Sequence, residues 1–288
     1  MVNLIYGIPT WLLGLVIVTL STVLSGAGLV VVHRLVPADV RRPHNDIAGY
    51  ISNIVAFVYA VILAFLAVAV WQQYGQAGTT TQLEANAAGD VFHQANGYPE
   101  PLRQTVRAAI RAYVDAVIDD EWARQARGGV SEQASRILDD LQLQMLTFQP
   151  RDMREQAVHG EQLHDLNTLM DQRRLRIFAG ASGLHPVIWS VILIGSVLVV
   201  VFAYFMGTGN FRAHLAMTVL LGASIGLVIF LIIALDYPFR GDIGIKPDAF
   251  VQVRESLGGG LRPPSDAPRA APAPLPPPSS GLRGRSPR

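Results

Sequence analysis

Four stretches of this sequence carry no formal charge over a length that can cross a bilayer, and that pattern limits the possible folds more than any motif does. They run from Trp11 to Val32, from Tyr50 to Trp71, from Val187 to Met206 and from Leu215 to Leu235. About 20 apolar residues in a helix cover the ~30 Å hydrocarbon core of a membrane. One such run could be a helix buried in a soluble core; four in one chain point to lipid. Only 16% of the residues are charged, well below the roughly 25% of soluble proteins. The expected fold class is an all-α membrane protein, with transmembrane helices at 11–32, 50–71, 187–206 and 215–235. The first run is expected to be retained rather than cleaved as a leader. Its first cation, Arg34, follows the run, and the run exceeds the ~7–15-residue apolar core of a signal peptide. Trp11, Trp71 and Trp189 lie near span ends, as an aromatic belt requires.

Between the second and third runs the pattern changes. From 72 to 184 charges return and apolar residues recur at helical spacing. Leu102, Val106, Ile110, Tyr113, Val117 and Trp122 form one stripe on a helix that begins near Pro101 and ends at Gly128-Gly129. Ser131 is a plausible N-cap for a second helix striped by Ala134, Ile137, Leu138, Leu141, Met145 and Leu146. A third helix is expected from Arg151 to Ala181, and the second span is expected to continue through Gln82 to Gln94. The spans are thus arranged two plus two around a helical soluble domain. The segment 258–288 is rich in Pro and Arg and poor in large apolar side chains, so it is expected to be disordered.

Composition also excludes chemistry. A net charge of +1 provides no bulk field for nucleic acid or acidic substrates. The absence of cysteine removes disulfides, thiolate metal sites and cysteine nucleophiles. His93, His159 and His164 do not share the i, i+4 spacing of paired metal ligands, and they read as solvated surface residues. Asp119, Asp120 and Glu121 read as a solvated helix face. No nucleophile context, cofactor loop or metal set is visible, so neither an enzyme nor a cofactor is expected.

An ordered series of short motifs runs through the chain. Asn45-Asp46-Ile47-Ala48-Gly49 precedes the second span, Tyr59 to Phe65 fill its middle, and Trp71-Gln72-Gln73-Tyr74 ends it. Glu84-Ala85, Glu121-Trp122, Arg173-Arg174-Leu175-Arg176, Pro186-Val187-Ile188-Trp189 and Asp236-Tyr237-Pro238-Phe239-Arg240-Gly241 follow. From about residue 10 to 255 this series resembles the bacterial bestrophin-like membrane family. The resemblance implies a homo-oligomeric channel for small ions, pentameric as bestrophins are, whose second transmembrane helix lines the pore and forms an apolar neck. It makes Glu84, Glu121, Trp122, Asp236 and Pro238 family-motif positions. Asp236 and Asp242 alone do not make the acidic calcium clasp of animal bestrophins, so calcium gating is not implied.

On the second span, Asn53, Phe57, Ala60, Ala64 and Val68 fall on one helical face. An apolar face can line a pore that gates by dewetting; small residues equally let helices pack closely. Asn45 and Asp46 stand where a pore mouth would be, and also where a helix cap would be. Gly222 and Gly226 form a small-xxx-small pattern for close helix packing. Asp236, at the end of the fourth span, reads as interfacial or as the partner of an arginine. Four spans put both termini and the soluble domain on one side. Arg173, Arg174, Arg176, Arg240, Lys246 and Arg254 lean that side toward the cytoplasm of a multi-pass cell-membrane protein, against Arg34, Arg41, Arg42 and Arg212 on the other. The alternative function is a non-conducting, membrane-anchored interaction or scaffold protein.

Overall fold

The structure, a computed structural model, describes residues 6–37, 41, 43 and 45–258. Apart from Gly258, the segment expected to be disordered at 258–288 lies outside the described residues. All regular structure among the described residues is helical. Helix α1 spans Thr10–Leu35 and starts just after Pro9, where the Thr10 N–H donates to Asp242 Oδ2 at 3.0 Å. Helix α2, Asn45–Gln94, runs 50 residues without a break and ends in a 3₁₀ turn, Ala95–Gly97. No proline interrupts it, so nothing forces a kink where apolar sequence gives way to polar.

Helix α3, Leu102–Ala116, passes into a π-helical turn, Val117–Glu121, and then into the single-turn α4, Trp122–Gln125. Gly128 reverses the chain in the left-handed region, at φ +84°, where glycine pays no Cβ penalty. Ser131 caps α5, Glu132–Thr147, by accepting the Ala134 N–H at 3.3 Å. Asp152 caps α6, Met153–Ala181, by accepting the Glu155 N–H at 2.7 Å. Helix α7 spans Pro186–Tyr204 with proline in its first turn, and α8 spans Phe211–Asp236 with Asn210 as its cap. A last helix, α9, Asp248–Gly258, has no counterpart in the sequence-based expectation.

Helices α1, α7, α8 and the first half of α2 form the apolar end. Tyr59, Leu63 and Val70 of α2 pack with Ile192, Val199, Ile225, Ile232 and Leu235. Tyr59 also donates from its hydroxyl to Ile192 O at 2.7 Å. Helices α1 and α8 make the most extensive contact. A Cβ on Gly222 would lie 2.3 Å from Ser25 Oγ and 3.0 Å from Ser21 O, and one on Gly226 would lie 3.1 Å from Val18 Cα. Gly222→Val therefore forces the two helices apart and is expected to cost about 1–3 kcal/mol; a lower midpoint for thermal unfolding in detergent checks it. Between 11% and 44% of each apolar window is buried within the protomer. Such large uncovered apolar surface calls for lipid or further copies of the chain.

The second half of α2 builds the polar-surfaced end. Ala88, Val91 and Phe92 pack on Val106, Ile110 and Tyr113 of α3, Leu138 and Leu141 of α5, Leu166 and Leu169 of α6, and Phe250 of α9. One unbroken helix is thus shared by both ends.

Candidate functional site

An α-helix advances ~100° per residue, which sorts the side chains of α2 onto faces. Tyr59, Leu63, Val70 and Ala77 are buried on one side. Asn53, Phe57, Ala60, Ala64 and Val68 are all exposed on another, with the Phe57 ring 70% accessible. Asp46 shares this exposed face at the helix start, and Trp71, Gly75, Gln82, Asn86 and His93 continue it toward the far end. Glu84 is the only charged residue between Asp46 and Asp90, and it is wholly buried. The exposed surface of α2 is therefore uncharged over that whole length, first apolar and then amide-rich. Asn45 points elsewhere: its amide donates to Gly207 O at 2.8 Å and accepts the Gly207 N–H at 2.7 Å, tying the α7–α8 turn to the start of α2.

The family-motif positions converge in the soluble half. Arg176 of α6 forks onto Glu84 of α2, Nε to Oε2 at 2.5 Å and Nη2 to Oε1 at 2.9 Å. The same Nη2 donates to Glu121 Oε1 at 2.5 Å, and Nη1 donates to Gln125 Oε1. Arg173 reaches the other oxygen of Glu121 at 2.5 Å. Tyr113 donates to Glu84 at 2.5 Å, and the Trp122 ring lies 5.2 Å beneath the Arg176 guanidinium. Two carboxylates and two guanidiniums thus balance where water is excluded. The π turn helps to aim them. Four residues of α-helix overshoot a full turn by ~40°, and the wider i→i+5 turn offsets part of that drift. Val117, Glu121 and Gln125 therefore all stay on the inner face of the helix that carries Tyr113.

Opposing effects set the protonation states here. Burial would raise the Glu121 pKa, but the Arg176 and Arg173 charges and hydrogen bonds outweigh it and hold the carboxyl below its usual range. Burial would lower the Arg176 pKa, yet Glu84 and Glu121 raise it above the ordinary arginine value. Burial and the Glu84 charge push the Tyr113 phenol well up, so it remains a donor. With their lone pairs engaged, these carboxylates hold the bundle together.

Two sequence expectations need correction. Glu121 is not part of a solvated acidic face, although Asp119 is exposed and Asp120 pairs with Arg124 at 2.5 Å. Asp236 is only 3% exposed within the protomer, so it is not solvated there, and no arginine pairs with it among the described residues. It accepts the Leu184 N–H at 2.7 Å and fixes the joint between α6 and α7 to the end of α8. Pro238 stands in the turn that follows, its carbonyl accepting the Ile245 N–H at 2.8 Å, while Trp122 donates to Ile245 O at 3.1 Å. The Glu84–Arg176 pair was invisible to sequence reasoning because 92 positions separate its members. Its only sequence signal was the motif residues themselves. His159 accepts or donates at 2.7 Å to the Tyr98 hydroxyl. No group of three His, Cys, Asp or Glu side chains among the described residues could hold a metal.

Comparison with known proteins agrees with this architecture. Among solved structures, variants of a bacterial bestrophin homologue from Klebsiella pneumoniae are similar in fold. One is 14% identical with a TM-score of 0.59, over 84% of this chain and 94% of that one. Another is 12% identical with the same TM-score, over 83% and 97%. A structure described only as a membrane protein variant is 13% identical with a TM-score of 0.58, over 83% and 97%. Among curated proteins none matches this sequence. The model of the bestrophin-like domain matches residues 19–250, and the chain belongs to the bestrophin-like family.

Proposed function

We propose that this protein is an oligomeric ion-conducting channel of the membrane in which the exposed face of α2 lines the pathway. The uncharged surface of α2 from Asp46 to Asp90 carries this reading, because one continuous helix offers an apolar segment followed by an amide-lined one. Phe57, Ala60, Ala64 and Val68 would form the constriction, where an apolar wall gates by dewetting. Asn53 would lie at its entrance. Asp46 would form a carboxylate ring at the mouth, while Asn45 supports the mouth through Gly207. Spans α1 and α2 precede the soluble bundle and spans α7 and α8 follow it, two plus two, so the bundle extends the pathway on one side. No catalysis is assigned.

That side is assigned to the cytoplasm. Arg173 and Arg176 contribute to the positive-inside bias during insertion and end in the buried ion pairs of the folded domain. On the opposite side Arg41 is buried, donating to Tyr204 O at 2.6 Å. Purified protein in liposomes should pass small ions above the rate of empty liposomes. An intact oligomer with no flux would overturn the reading, and a monomer in mild detergent would favour the scaffold alternative.

A further inference from the structure

Three carboxylates lie along one flank of α2 with no arginine or lysine paired to them among the described residues. Asp90 of α2 and Glu161 of α6 both act on Asp165 of α6, whose carboxyl is raised by burial and by these two like charges, with His164 opposing. The Gln94 side chain donates to the Asp165 carboxyl, but not every acceptor here has a donor. Asp165 Oδ2 is buried without one, and so is the Oε1 of Gln162. Gln162 is wholly buried between the two α6 acids in sequence and donates its amide to Val91 O.

The opposite flank of α2 has the complementary excess. Arg107 and Arg111 of α3 lie over the Phe92 ring, at 4.4 and 4.9 Å from its centroid. Their polar contacts are neutral: Asn96 Oδ1 at 3.1 Å and Leu257 O at 3.0 Å. Neither has a carboxylate partner among the described residues. Asp90 and Phe92 are two residues apart, hence ~200° apart around the helix and only ~3 Å apart along it. The acidic and basic flanks therefore sit at one height on opposite sides of α2, with the exposed His93 and Asn86 face between them.

We propose that a second copy of this chain docks its Arg107 and Arg111 flank against the Asp90, Glu161 and Asp165 flank of the first, and that this contact repeats around a ring. The inference rests on the oligomeric reading with α2 facing the ring axis. Rotation about an axis along α2 preserves height, so the acids of one protomer meet the arginines of the next. Such a contact joins unlike surfaces, and repeated by rotation it closes into a ring rather than a dimer. Each guanidinium supplies only donors, and the exposed carboxylates of Asp90 and Glu161 can accept them.

The native chain has no cysteine, so a paired substitution reports cleanly. Asp90→Cys with Arg107→Cys, in the full-length chain in mild detergent, should oxidise to a ladder of dimers, trimers and higher species. Within a protomer the two sites face opposite sides of α2, out of disulfide reach. Either single variant alone should give no ladder; dimers from one single variant would mean that like surfaces meet, and would overturn the proposal. Independently, Arg107→Glu with Arg111→Glu should raise the concentration at which the assembly dissociates by roughly tenfold or more. Adding Asp90→Arg with Glu161→Arg should restore assembly, with circular dichroism confirming that each variant folds. An assembled protein that gives no ladder overturns this contact and leaves the channel reading standing. A monomeric protein overturns both.

Discussion

Arg176→Met lowers stability by about 3–5 kcal/mol, the usual cost of stranding one partner of a buried ion pair. The variant leaves Glu84 and Glu121 enclosed with Arg173 as their one cation among the described residues, where Glu84 keeps the Tyr113 hydrogen bond. The soluble bundle should melt well below the native protein, read by circular dichroism in detergent. Glu84→Gln added to Arg176→Met removes the stranded charge and should recover a substantial part of the loss. Simple additivity of the two losses would mean that the pair is not coupled. The pH dependence has the same origin. The folded Glu121 pKa is depressed, so its contribution is present above the unfolded glutamate pKa of about 4.3 and disappears as pH falls through the lower folded value.

Ala60→Trp is expected to cut ion flux at least roughly tenfold, because an indole on the exposed face of α2 would fill an apolar constriction. Phe57→Ala should act in the opposite direction, widening the same segment. Leu220→Trp on the exposed face of α8 is the control and should leave flux near the native level. Liposome flux per oligomer, measured on samples of matched size distribution, separates these outcomes. Equal flux from all three variants would remove α2 from the pathway.

The long apolar runs and the cap at Ser131 were legible because they are local: hydropathy sets a span, and one hydroxyl caps one helix. The continuation of α2 through Gln94 was legible for the same reason, since no proline or glycine pair interrupts it. The buried charge network was not, because Arg173 and Arg176 read in isolation as membrane-flanking cations and Glu121 as solvated. Only the tertiary fold brings α2, the π turn and α6 within one hydrogen bond of each other. Helix α9 was missed because its 11 residues precede a Gly- and Pro-rich segment that dominated the composition there. Its anchor, Phe250, gains meaning only beside Tyr113 and Trp122. The face of α2 was legible as a periodicity, whereas its flanks needed the positions of α3 and α6.

The seamless 50-residue rod of α2 contrasts with the α6–α7 connection, which has a knee at Ser182–His185. A stiff shaft transmits torque, and a knee absorbs it. On the proposed channel reading, anything that clamps and turns the distal bundle would rotate Phe57 and Ala64 through nearly the same angle, along a helix ~75 Å long. The joint at 182–185, pinned by Asp236 to the end of α8, would hold the neighbouring span in place while that shaft turns.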